Sequence, residues 1–358
     1  MFTRPPLLLT TIITEETTGP VNVHRLAQLI NEANREVGTN CSVNGRMLAK
    51  IRDEPRNVGI TYDVLVAIHI YLLKNGKPGL QERPILETRG LLEVLMHSPR
   101  VVFMLGARPR PDERTEISRW DTRSLAVLLT QASKLDVHRE FDVEDVLRQT
   151  PVDPEDIRTE RWYRFLEDDQ ASVVSLGSPL AALSSEIMLA GMFGVKAFVP
   201  PRVGMPRQLP FFFVWLPKLA RNFSSAFALT WRDLHTDFPE LATQVKGNQA
   251  SAFILEGKPH VVTARGTSWT THGIIAAQRR AAGNVWAVVS GLAGPATHAA
   301  SMMVKEIATE LPWAKGQPSK VLWVPVKAKI KADETTPTNG DMREIVKVEF
   351  DGEPRIWP

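Results

Sequence analysis

Two stretches in the second half of the chain share one grammar, and that grammar narrows the fold to the α/β kind. In ASVVSLGSPLAALSSEIMLAGMFG (residues 171–194) and VWAVVSGLAGPATHAASMMVKEIATEL (residues 285–311), an apolar run ends at a glycine, a proline follows, and a helix of small residues begins. An unbroken apolar run is the mark of a strand covered on both faces, which requires helices packed on a largely parallel sheet. The glycine admits a sharp turn and a close approach of a ligand to the backbone. The proline suits a first helical turn, where its missing N–H is no loss. Free amides and the helix dipole then favour an anion, by about 0.3–1 kcal/mol where exposed.

The remaining pattern divides the chain in two. Residues 1–84 read as a helical domain. Residues 22–38 carry Leu26, Leu29, Ile30 and Ala33 at one helical stripe, with Asn22 as N-cap and Gly38 as stop. Residues 43–53 form a short second helix with Met47, Leu48 and Ile51 inward. Thr61 caps a third, with Leu65, Ile68, Leu72 and Leu73 on its core face and Gly76 at its end. Residues 85–358 read as a Rossmann-like, mostly parallel α/β domain. Strand runs fall at 101–105, 171–176, 210–215, 250–255, 260–264 and 285–290, with helices at 85–97, 123–133, 181–193 and 297–311. The polar stretch 265–272 is expected to turn from strand to helix. Strict alternation at 326–331 and 343–350 predicts a C-terminal antiparallel hairpin within 320–351.

Composition excludes several classes. Two domains fit 358 residues, and 43% hydrophobic with 23% charged residues fits a folded chain rather than a disordered one. The single cysteine, Cys41, leaves no intrachain disulfide and no Cys-based zinc site, so a cytoplasmic location is expected. No apolar run reaches the roughly 18 residues of a membrane span, and no membrane partner is expected. The eight histidines are scattered without a paired ligand spacing, so no metal site is expected. No G-x-S-x-G elbow or Walker lysine is present.

Residues 41–76 (CSVNGRMLAKIRDEPRNVGITYDVLVAIHIYLLKNG) combine a short polar helix bearing Arg46, Lys50 and Arg52, the turn DEPRNVGIT, and an apolar helix. In these features the segment resembles the third and fourth helices of phage-repressor-type (Xre/Cro-like) helix-turn-helix domains. The resemblance implies that the short helix enters the DNA major groove and that the protein is a homodimer, or a higher homo-oligomer, reading more than one half-site. Arg46 then has the geometry to fork onto guanine and Asn44 onto adenine. Lys50, Arg52 and Arg56 are placed to neutralise phosphates.

In the second domain the candidate ligand-binding residues are Gly177, Ser178 and Glu186 from the first glycine turn, and Gly291, Gly294 and Thr297 from the second. Glu186 could bind a ribose hydroxyl or act as a general base. Arg108, Arg110 and Arg114 form a basic loop after the strand at 101–105. Asp121 reads as an N-cap, and His272 and His298 are the histidines nearest the predicted edge. A nucleotide or other phosphorylated small molecule is the expected ligand. The expected function is a DNA-binding regulator that senses it, an enzyme being the less favoured reading. The alternatives are a nucleotide N-glycosidase or nucleoside-transferase-like enzyme, with Glu186 or Asp121 as its carboxylate, and a defence-type effector targeted by its helical domain.

Overall fold

The computed structural model describes residues 7–39, 41–53, 62–77, 90–96, 98–109, 115–135, 140–147, 154–200, 209–215, 224–237, 239–244, 251–262, 268–307, 318–331 and 343–357. The chain divides into two units: Met1–Arg89 with Ala308–Lys315, and Gly90–Ile307 with Gly316–Pro358.

The first unit is helical. The stretch that opens the sequence with leucines and threonines is itself a helix, α1 (Leu7–Glu16), which buries Leu9, Ile12 and Ile13. Helix α2 (Val23–Glu36) starts where Asn22 accepts from the amides of His24 and Arg25, and Gly38 follows it at φ +75°. Its stripe meets Leu48 and Ile51 of α3 (Gly45–Asp53) and Val64, Ala67, Ile68 and Leu72 of α4 (Tyr62–Lys74). Leu73, expected inside, is 47% exposed. The buried Asn34 amide donates to the carbonyls of Ile30 and Ala67 and so ties α2 to α4. The expected cap Thr61 lies outside the described residues.

The second unit is mixed α/β. Its larger sheet is built from β1 (Arg100–Pro109), β2 (Thr115–Ile117), β3 (Glu140–Leu147), β4 (Ala171–Leu176), β9 (Ser268–Arg279), β10 (Val285–Gly291), β11 (Val321–Lys331), β12 (Glu344–Phe350) and β13 (Arg355–Trp357). The order is β12–β11–β9–β10–β4–β1–β2, with β13 also on β11 and β3 also on β1. Strands β3, β1, β4 and β10 run parallel to one another, whereas β2 pairs antiparallel with β1, β9 with β10, and β11, β12 and β13 pair antiparallel in turn. The sheet is therefore mixed, not mostly parallel. The C-terminal hairpin forms as expected and extends this sheet.

The segment expected to turn into a helix after residue 265 is instead β9, a central strand. Its Ile274, Ile275, Ala276 and Ala277 are buried, and it is hydrogen-bonded on both sides. Ladder bonds to two neighbours outweigh the weak helix preference of alanine-rich sequence. Strand β3 (EFDVEDVL) is an additional strand on the outer side of β1, largely exposed and acidic.

A second sheet, absent from the sequence expectation, takes β5 (Phe211–Trp215), β6 (Ala228–Thr230), β7 (Ser251–Leu255) and β8 (Lys258–Val262) in the order β6–β5–β7–β8. It packs Phe211, Phe213, Trp215 and Phe253 toward the larger sheet. Its other face covers Trp231 and Leu234 of α9 (Trp231–Asp237) and Ala242 of α10 (Pro239–Gln244).

Alternate residues of the central strands face two interiors, as the period of 2 requires. Val102, Met104, Val173, Trp286 and Val288 meet α8 (Leu183–Phe193), α7 (Pro154–Thr159) and the 3-10 turn Arg161–Leu166. Phe103, Val174, Ala287 and Val289 meet α5 (Leu91–Met96) and Leu128 of α6 (Arg119–Ala132). Helix α11 (Gly294–Met303) packs beside α6 on that second side. No helix among the described residues is long and apolar enough to cross a membrane.

Candidate functional site

Adjacent strands β1 and β4 send their following helices to opposite faces: α6 to one, α8 to the other. Strands β4 and β10 do the same with α8 and α11. Where neighbouring connections diverge, a crevice opens beyond the carboxyl ends of the strands, and α/β folds place ligands there. Here that position falls among Gly106–Arg108, Gly177–Ser178 and the start of α6.

Asp121 occupies it. The helix that carries it is capped by Ser118, whose hydroxyl accepts from the Trp120 amide at 3.3 Å, so Asp121 is free of the capping task expected of it. It sits in the first turn of α6 and is 3% exposed. A Cβ placed on Gly177 would lie 3.7 Å from Asp121 Oδ2, with Ala182 and Ala181 Cβ at 3.5 and 3.7 Å, so the Asp121 carboxyl and the Gly177 backbone are close neighbours. Gly177 has φ +118°, a backbone state that other residues avoid. Among the described residues nothing hydrogen-bonds to the Asp121 carboxyl. Burial drives its pKa up to about 7, against the pull of the Arg108 guanidinium. A carboxyl with that pKa changes charge near neutrality and is ready to hold a hydroxyl or N–H donor, or to exchange a proton.

The first glycine turn differs from its expected form. Pro179 is not in a helical turn: the Ser178 carbonyl accepts the amides of Ala181 and Ala182 at 2.8 and 2.9 Å, and α8 begins only at Leu183. Ser178 is half-buried at the crevice mouth. Ser184 and Ser185 turn inward to Ser175, and Ser185 donates to the Gly177 carbonyl.

Glu186 is corrected in role. It is fully buried, and its carboxylate accepts from the amides of Phe198 (2.8 Å) and Ala226 (2.7 Å) and the hydroxyl of Ser225 (2.6 Å). Burial pushes its pKa up, and these three donors oppose that shift. With its oxygens committed to protein donors, it fastens the chain entering and leaving β5 rather than lining the crevice. Its bond to Phe198 helps hold that residue at φ +63°.

The second turn places Pro295 in the first turn of its helix, but α11 begins at Gly294, ahead of the expected start at Thr297. Its glycines, however, are occupied by protein. A Cβ on Gly291 would overlap the Thr297 amide, and one on Gly294 would come within 2.7 Å of the Trp120 side chain. Thr297 is 2% exposed. These three residues are packing elements that let α11 lie close to β10 and α6, not walls of an open pocket. Trp120 contacts the His298 ring at 5.7 Å and carries Arg123 over its face at 4.7 Å. Burial and Arg123 together lower the His298 pKa. Of the basic loop, Arg108 is exposed at the end of β1, while Arg110 and Arg114 lie outside the described residues.

In the helical unit, α3 presents Arg46 and Lys50, one turn apart and both exposed. Asn44 is occupied: its side-chain oxygen accepts from the Met47 amide at 2.7 Å and caps the helix, which removes it as a free adenine reader. Arg52 is paired with Asp53 at 2.7 and 3.0 Å. Arg56 lies outside the described residues. Gly45 is required by space, since a Cβ there would overlap the His24 ring of α2.

The chain matches no protein-family model, no curated protein and no solved structure. Its function rests on its own geometry.

Proposed function

We propose that this chain is a DNA-binding regulator whose α/β unit, read as Rossmann-like in its parallel half, holds a nucleotide or another phosphorylated small ligand in the crevice between β1 and β4. The observation that carries the reading is Asp121: a buried carboxyl, without a hydrogen-bond partner among the described residues, beside the positive-φ Gly177 at the carboxyl end of β4. A ligand donor at that place would satisfy the carboxyl. A ribose hydroxyl or a base N–H is such a donor. Arg108 at the mouth supplies the charge that a phosphate needs. For DNA, the support is the exposed Arg46 and Lys50 on a short helix that resembles a recognition helix.

The test is calorimetric titration of the purified chain with a panel of mono-, di- and dinucleotides, alongside Asp121→Ala and Arg108→Ala. The reading expects one ligand class to bind and both variants to lose it. It expects Arg46→Ala/Lys50→Ala to keep the nucleotide and lose DNA. If no phosphorylated ligand binds, or if Asp121→Ala binds it as tightly as the parent chain, the reading is wrong.

A second reading, a nucleotide N-glycosidase or nucleoside transferase, is favoured by the pKa of about 7 at Asp121, since acid–base catalysts are most effective near the working pH. Chromatography of incubated nucleotides decides it: released free base that disappears in Asp121→Asn supports turnover, and intact nucleotide rejects it.

A further inference from the structure

A second cluster of polar side chains lies apart from the residues assigned above, where the two sheets of the α/β unit meet. His260 comes from β8 of the smaller sheet, His272 from β9 of the larger one, and Asp351 from the residue directly after β12. One ligand-capable atom from each lies within 4.8 Å of the others. His272 is 5% exposed, and neither of its ring nitrogens has a hydrogen-bond partner among the described residues. Asp351 Oδ2 is likewise buried without one. Two buried nitrogens and an oxygen left unsatisfied together are costly unless something not yet named joins them.

The spacing says what that is. His272 Nε2 and Asp351 Oδ2 are 3.5 Å apart, beyond a good hydrogen bond. It is close to the edge of a tetrahedron with bonds of about 2.1 Å, roughly 3.4 Å. The rings of His260 and His272 are centred 4.8 Å apart and tilted at 52°, so they converge rather than stack. Phe253 lies parallel to the His272 ring at 5.7 Å and fixes its plane. Burial and the neighbouring His260 push the His272 pKa down to about 4, with Lys327 adding to this and Asp351 opposing it.

We propose that His260, His272 and Asp351 bind one divalent first-row transition metal ion, with zinc the best fit to two imidazoles and a carboxylate. Three protein ligands leave at least one coordination position for water or an exogenous oxygen or nitrogen donor. Lys327, the cross-strand neighbour of His272, supplies the one nearby cation among the groups that act on that ring. It favours an anionic fourth ligand such as hydroxide or a carboxylate. The sequence shows none of this, because the three residues come from two sheets and a distant turn.

The test uses the full chain, stripped with a chelator and titrated with Co2+ at neutral pH. The expected result is the visible d–d absorption of a four- or five-coordinate Co2+ complex, saturating at one equivalent and erased by Zn2+. His260→Gln and Asp351→Asn, both at partly exposed positions, are each expected to weaken Co2+ binding about tenfold or more. A parent chain that gives only the spectrum of the aqueous ion overturns the proposal, whatever the variants do. So does a saturating band that both variants retain at unchanged affinity.

Discussion

Replacing Asp121 with asparagine isolates the electrostatics of the crevice. The side chain keeps its shape and loses its charge. The folded-state pKa of Asp121 is raised from 3.8 to about 7, and at about 1.4 kcal/mol per unit that sets a ceiling of about 4 kcal/mol. The sign follows from proton binding: the folded chain holds this proton more tightly than the unfolded one. The associated stability is therefore fully present below the unfolded pKa and is lost as pH rises through about 7. Asp121→Asn carries no such penalty. Its stability relative to the parent chain should climb by roughly 3 kcal/mol between about pH 5 and pH 8 and then level off. Urea unfolding followed by tryptophan fluorescence measures it, because Trp120, Trp162, Trp215 and Trp286 all lie in the α/β unit. A stability difference that stays flat within about 0.5 kcal/mol across that range would refute the reasoning, since it would mean that the carboxylate is already paired.

Three further outcomes follow from the packing. Glu186→Ala leaves two amides and a hydroxyl without their acceptor, and should lower unfolding free energy by about 3 kcal/mol; an unchanged urea midpoint would contradict it. Gly177→Ala and Gly291→Ala separate two uses of glycine. The first has room for the methyl and should lose only the backbone term of about 1–2 kcal/mol, whereas the second drives a methyl into the Thr297 amide and should lose more than that in the same assay. For the helical unit, Lys50→Ala should lower the slope of log affinity against log salt by about 1, checked by fluorescence anisotropy with duplex DNA over a salt series; an unchanged slope would place the phosphate contacts elsewhere.

What could be read from the residues follows how local each signal was. Helix α2 was legible because its stripe, its Asn22 cap and its Gly38 stop all lie within one segment. The starts of β4 and β10 were legible because buried parallel strands are continuously apolar. Strand β3 was hidden because an exposed edge carries the acidic residues of a loop. Strand β9 was misread because GIIAAQR suits a helix until two neighbouring strands claim its backbone. The surroundings of Glu186 and Asp121 were set by contacts that no spacing reveals. Glu186 met three donors brought in by the segment before β6 and the loop after α8, while Asp121 came to lie beside Gly177. Capping chemistry favoured Asp121 as the cap, yet Ser118 stood in the better position.

At Gly106 the chain has no slack: a side chain there would overlap the Ala181 carbonyl. The end of β1, which bears Arg108, thus rests on the turn that bears Gly177, and that turn feeds α8. Glu186 on α8 holds the backbone on either side of β5. These contacts link the end of β1, through α8, to the backbone on either side of β5. A ligand that shifts Arg108 should register as altered hydrogen exchange at the Phe198 and Ala226 amides, which it never touches.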